Sequence, residues 1–289
     1  MESLLEPFQY PFMIRAMIVG IAIGAVCAVL SCFLVLKGWS LMGDAISHAV
    51  LPGIVGAYAL QIPLAIGAIA SGLFCALATG YIKAHSRVKE DTVMGVVFTG
   101  LFAFGLVLFT KVKSDLHLDH ILFGNILGLD PTDLRDTLVV GGLSLAVILL
   151  LRRDLLLFCF DPGHAQTLGL RTDFLYYLLL SLLAVTIVVS LKAVGIILVV
   201  AMLVTPGCIA YLLTDRFNRM LWIATGSAVF SSFFGVYLSF LINAATSSCI
   251  VLTQALIFLA ALAFAPRHGL LRRRKGLGAE PASIPDSGS

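Results

Sequence analysis

The stretch Phe174-Leu-Tyr-Tyr-Leu-Leu-Leu-Ser-Leu-Leu-Ala-Val-Thr-Ile-Val-Val-Ser-Leu-Lys-Ala-Val-Gly-Ile-Ile-Leu-Val-Val-Ala-Met-Leu-Val-Thr-Pro-Gly-Cys-Ile-Ala-Tyr-Leu-Leu213 carries one charged residue, Lys192. Each half, Phe174 to Leu191 and Val194 to Leu213, is long enough as a helix to cross about 30 Å of hydrocarbon. The same texture runs through the chain. Of its 289 residues, 60% are hydrophobic and only 12% charged, and the mean hydropathy is +1.03. A soluble domain carries roughly twice that charged fraction. Lipid, in which apolar side chains belong on the outside, is therefore the solvent.

Seven more apolar stretches qualify as spans: Phe12 to Leu36, Leu41 to Leu60, Pro63 to Ile82, Val93 to Phe109, Leu134 to Leu151, Leu221 to Ile242 and Cys249 to Ala265. That makes nine candidates. Eight crossings also fit, because the polar start of Leu41 to Leu60 suits a partial span. Ile121 to Leu129 is apolar but too short to cross, and reads as a re-entrant or interfacial piece. The expected fold is all-α, a polytopic membrane helix bundle of 8 to 9 transmembrane helices with short re-entrant or broken segments.

Lysine and arginine set the orientation, because cytoplasmic loops are enriched in them. With the C-terminus inside, fourteen fall on the inner side (Lys37, Lys83, Arg87, Lys89, Arg152, Arg153, Arg171, Arg216, Arg219, Arg267, Arg272 to Arg274 and Lys275) and five outside (Arg15, Lys111, Lys113, Arg135 and Lys192). The N-terminus is then outside. Residues 1–266 form one transmembrane domain on this reading. Residues 267–289 form a basic and then disordered cytoplasmic tail, with lipid headgroups as the partner of Arg267 to Lys275. The start, Met1 to Tyr10, has Glu2 and Glu6 in place of a basic region, so no removable signal peptide is expected. The six cysteines are scattered without a C-x-x-C pair and read as small core residues.

The stretch Lys37-Gly-Trp-Ser-Leu-Met-Gly-Asp-Ala-Ile-Ser-His-Ala-Val-Leu-Pro-Gly53 holds the candidate chemistry. Asp44 and His48 stand four apart, on one face of a helix about one turn from each other. A carboxylate and an imidazole converging in this way suit manganese, iron or zinc. Two ligands do not complete a site, so others must come from further segments, water or another subunit. The competing explanation is that Asp44 caps the second helix and His48 bonds a neighbouring backbone. Ionisable groups within membrane segments are rare and usually functional, which favours a transport role. Gly43, Pro52 and Gly53 allow close helix approach and a broken helix.

Phe160-Asp-Pro-Gly-His-Ala-Gln-Thr-Leu-Gly-Leu170 reads as a short inner helix marked at both ends. Asp161 suits the N-cap, Pro162 the first helical position and Gly169 the left-handed stop. Such a helix is able to dock a partner protein; a simple surface helix between spans is the alternative. In Lys89-Glu-Asp-Thr92 the acids match the positive end of a helix dipole, which makes capping the expected role. His117, Asp119 and His120 form an outer-loop H-x-D-H that is a weaker metal-catching candidate. The chain contains no G-x-x-x-x-G-K-[ST] phosphate loop, G-x-S-x-G elbow or H-E-x-x-H helix, so these residues support neither ATP binding of that type nor enzyme activity.

With these residues laid out, the chain resembles the permease subunits of the manganese, zinc and iron family of bacterial ABC importers, from about Met13 to Ala265. Met42 to Gly53 looks like the family signature, supported by Glu90-Asp-Thr-Val-Met-Gly95, Leu122-Phe-Gly-Asn-Ile-Leu127 and Val194 to Pro206. The wording from Asp119 to Leu127 is nearest to the iron and manganese branch. The resemblance implies eight spans with short broken pieces, a homo- or heterodimer of permeases in the bacterial inner membrane, two cytoplasmic ATP-binding subunits and an external metal-binding protein. It implies that Asp44 and His48 coordinate the transported ion, with no permanently bound cofactor. It further implies that the inner helix, with Asp161, Pro162, His164, Ala165, Leu168 and Gly169, couples to the ATPase. No nucleic-acid partner is expected. The rival is a secondary, ion-coupled divalent cation transporter; such proteins carry inverted repeats, and the two halves of this sequence show no convincing repeat.

Overall fold

The computed structural model describes residues 9–39, 41–112 and 131–265, and its regular elements there are all helices. They are α1 (Pro11–Lys37), α2 (Met42–Ala49), α3 (Leu51–Ala59), α4 (Leu64–His85), α5 (Glu90–Lys111) and α6 (Pro131–Leu150) in the first half. The second half holds α7 (Arg152–Phe160), α8 (Pro162–Thr167), α9 (Thr172–Val194), α10 (Ile196–Leu213), α11 (Phe217–Ile242) and α12 (Thr246–Phe264). The molecule is a polytopic membrane helix bundle. Seven of these helices (α1, α4, α5, α9, α10, α11 and α12) are long and apolar enough to cross a bilayer. Helix α6 has similar length but opens with Asp133, Arg135 and Asp136.

Eight of the nine expected spans are single long helices; the second is not. Leu41 to Leu60 is two short helices that meet at Val50. Pro52 explains the break, because it has no amide proton for the carbonyl of His48 one turn earlier. Ser71 of α4 donates its hydroxyl to the carbonyl of Ala49 at 2.6 Å, satisfying part of the interrupted backbone from outside. Beyond the break, α3 approaches α4 with almost nothing between them. A Cβ on Gly53 would collide with the carbonyl of Gly67 and lie 2.6 Å from Ser71 Cβ. Small residues permit this backbone contact where lipid offers no hydrophobic drive for association.

Helix α1 is the central post, largely enclosed by α10 and α11 and flanked by α6 and α7. The side chains of Phe33, Leu30, Met202, Leu203, Leu179 and Leu183 meet in one core that joins α1, α9 and α10. Helix α2 leans on α5, with contacts to α4, α9 and α10, while α5 exposes most of its outer surface. Gly195, at φ +81°, turns α9 into α10 between the two halves of the opening sequence stretch. The re-entrant candidate Ile121 to Leu129, the H-x-D-H group (His117, Asp119, His120), the Leu122 to Leu127 motif and the tail from Arg267 onward lie outside the described residues.

Candidate functional site

Helix α2 brings together the two residues that its spacing pairs. His48 Nε2 lies 3.3 Å from Asp44 Oδ1, and 30% and 42% of the respective side chains remain exposed. The capping explanation for Asp44 does not hold: Leu41 occupies the N-cap without a side-chain cap bond, and Asp44 stands at the third helical position. Its carboxylate still benefits from the positive end of the α2 dipole. Behind the pair, Ser47 donates to the carbonyl of Gly43 at 2.7 Å. A Cβ added to Gly43 would come within 3.1 Å of Leu203 Cδ1, so α10 packs directly on the backbone beside Asp44.

Helix α5 supplies the wall. The His48 ring stacks on Phe98 with centroids 6.4 Å apart and meets the edge of Phe102 at 5.3 Å. Phe98 and Phe102 are four apart and share a face, and they fix the imidazole plane without contributing a metal donor. Among the described residues, no group of three or more histidines, cysteines, aspartates and glutamates is placed to hold a metal ion. Asp44 and His48 thus offer one oxygen and one nitrogen donor at a partly open surface.

The inner helix has the two ends anticipated from its sequence. Asp161 accepts the amide hydrogen of His164 at 2.9 Å, and Pro162 follows in the first turn. Gly169 adopts φ +81°; its amide bonds the carbonyl of Gln166, and the amide of Leu170 bonds that of Ala165. These two bonds form a Schellman stop, which a glycine accommodates without the penalty a Cβ would bring. Ala165 is buried, whereas Leu168 is 62% exposed and Phe160 is 66% exposed. Two apolar side chains therefore stand open at the two ends of α8. Lys37 ties the end of α1 to this region, donating to the carbonyl of Phe158 at 3.4 Å with its ammonium 4.0 Å from the ring centroid.

The acidic run opens α5 and matches the positive end of its dipole, without a side-chain cap bond. Lys89 is the N-cap residue, so Asp91 acts only through its place in the first turn. Sequence inspection also missed Phe98 and Phe102 as neighbours of His48, and Ser71 as the support of the helix break beside it. The F-x-x-x-F spacing was the available signal, but α5 is apolar on every side, which conceals its inward face.

The sequence model of the ABC 3 transport family matches residues 9–265. The chain belongs to the ABC 3 transport family. Relatives of this ABC 3 chain include the chelated iron transport system membrane protein YfeD of Yersinia pestis, 60% identical over 259 residues that cover 90% of this chain and 87% of the relative. The manganese transport system membrane protein MntB of Synechocystis sp. is 56% identical over 280 residues, covering 96% and 92%. Among solved structures, PsaBC from Streptococcus pneumoniae in complex with Fab superposes with a TM-score of 0.83 at 38% identity, covering 94% of this ABC 3 chain and 99% of that one. The chain is accordingly a membrane subunit of a transport system.

Proposed function

We propose that this chain is the permease of an ATP-driven importer that carries manganese or iron, and zinc less readily, into the cytoplasm. Asp44 and His48 bind the ion on its path. The observation that carries this reading is their separation. Two metal–ligand bonds of about 2.1 Å whose donors are 3.3 Å apart meet at about 100°. That angle lies between octahedral and tetrahedral values, so a divalent cation fits between Oδ1 and Nε2 with the helix as it stands. The imidazole must be neutral to ligate, and the adjacent carboxylate supplies the negative charge.

One oxygen and one nitrogen leave most of the coordination sphere open, and the pair is partly exposed. A second permease, identical or homologous, would meet this surface and bring its own donors, with water filling the rest. The relatives' names, which specify chelated iron and manganese, support the choice of metals. An oxygen and nitrogen site does not by itself prefer manganese to zinc, so selectivity arises from geometry and from the external metal-binding protein that delivers the ion.

Helix α8 is the contact for the cytoplasmic ATP-binding subunits. Its capped ends make it rigid enough to transmit a push, and Phe160 and Leu168 give the partner apolar anchors. The charge distribution supports an inner-membrane orientation with the N-terminus outside and the C-terminus cytoplasmic. The test is uptake of radiolabelled manganese, iron and zinc by cells lacking only this chain and complemented with variants. Asp44→Ala and His48→Ala are expected to abolish manganese accumulation while the ATP-binding subunit still co-purifies. Wild-type accumulation in both would refute the assignment.

A further inference from the structure

Helix α10, which also packs on the α2 backbone, carries Pro206 in its interior. Proline cannot donate the amide hydrogen that the carbonyl of Met202 would otherwise receive. The following amide, that of Gly207, points across to α1 and donates to Ser31 Oγ at 2.9 Å. The same hydroxyl donates to the carbonyl of Val204 at 3.1 Å. One fully buried side chain of α1 therefore both accepts from and donates to the turn of α10 that holds Pro206. The two backbones touch at this point. A Cβ on Gly207 would lie 2.5 Å from Ser31 Oγ and 2.6 Å from the Ser31 carbonyl oxygen, so glycine is required.

Leu203 stands one turn from Gly207 on the same face of α10. Its side chain rests on Gly43, at 3.1 Å from where a Cβ would be. Gly43 adjoins Asp44, and its carbonyl is held by Ser47. The chain of contacts is thus Ser31, Gly207, Leu203, Gly43 and then the Asp44–His48 pair. We infer that Ser31 and Gly207 form a clasp that sets the register of α10 and through Leu203 places Asp44 and His48, which makes Ser31 a positioning residue for metal passage. The clasp itself follows from the packing; its effect on metal rests on the function proposed above.

Two measurements separate these layers. In the first, nitroxide labels at the exposed positions Leu41 and Ile197 report the distance between the start of α2 and the outer half of α10. Ser31→Ala is expected to shift or broaden the distance distribution, and Ser31→Thr, which keeps the hydroxyl, to restore it. An unchanged distribution in Ser31→Ala would overturn the clasp, whatever the chain carries. In the second, the complete transporter in proteoliposomes is supplied with Mn²⁺ and ATP. Ser31→Ala is expected to raise KM for Mn²⁺ roughly 2- to 30-fold, the range of remote coupling mutations, with the amount of assembled complex unchanged and Ser31→Thr close to wild type. An unaltered KM, or an equal rise in both variants, would refute the positioning role. Absence of ATP-driven uptake in the wild type would count against the proposed function, and the distance measurement would still decide the clasp.

Discussion

Replacing Gly53 with alanine tests the packing that holds the broken helix in place. The new Cβ would sit 2.6 Å from Ser71 Cβ and 2.7 Å from the carbonyl carbon of Gly67, and would collide with the Gly67 oxygen. Restoring ordinary contact at Ser71 alone, from 2.6 to 3.4 Å, requires about 0.8 Å of separation between two helix backbones. Overpacking of this kind costs about 1–3 kcal/mol. Gly56 lies on the same short helix with nothing within 4 Å of its Cβ position. Alanine there should cost nothing, and its better helix propensity contributes up to about 1 kcal/mol. The assay is thermal unfolding of the two purified variants in the same detergent, followed by size-exclusion fluorescence. Gly53→Ala is expected to melt at least about 2 °C below Gly56→Ala, taking the lower bounds of the difference and of its effect on Tm in a chain of this size. Equal midpoints, or the reverse order, would refute the close packing of α3 on α4.

Three further outcomes are expected. Asp161→Ala removes the cap of α8 at about 1 kcal/mol, and in pull-down assays it should weaken retention of the ATP-binding subunit while leaving manganese binding intact. Gly169→Ala forces a Cβ into φ +81° and should give the same phenotype; undiminished retention in both variants would count against docking through α8. Five cysteines are buried and Cys208 is partly exposed, so a maleimide reagent should modify Cys208 first in native protein, with the other five reacting after denaturation.

Much of this architecture was legible because each long helix coincides with an apolar run bounded by polar residues. Helix α8 was legible in more detail: Asp161, Pro162 and Gly169 each occupy the position their backbone chemistry favours. The break within Leu41 to Leu60 was only suggested by Pro52, since prolines also bend membrane helices without dividing them, and the bond from Ser71 that supports the break comes from another segment. Phe98 and Phe102 were hidden for a different reason. In water a helix reveals its inward face by apolar periodicity, but in lipid both the core side and the solvent side are apolar, and α5 carries no such contrast. The Asp44–His48 pair was visible as an i, i+4 pattern. Its partial exposure, its aromatic wall and the pressure of Leu203 on Gly43 depend on packing between distant segments, which a single sequence does not display.

On the function proposed above, Asp44 and His48 hold the transported ion. The most direct test is Mn²⁺ electron paramagnetic resonance on the purified wild-type transporter, with Asp44→Ala and His48→Ala beside it. A bound-Mn²⁺ signal with nitrogen hyperfine coupling from an imidazole is expected in the wild type, the coupling absent from the His48 variant, and little bound ion in the Asp44 variant. An identical signal, nitrogen coupling included, in all three proteins would exclude both residues as ligands.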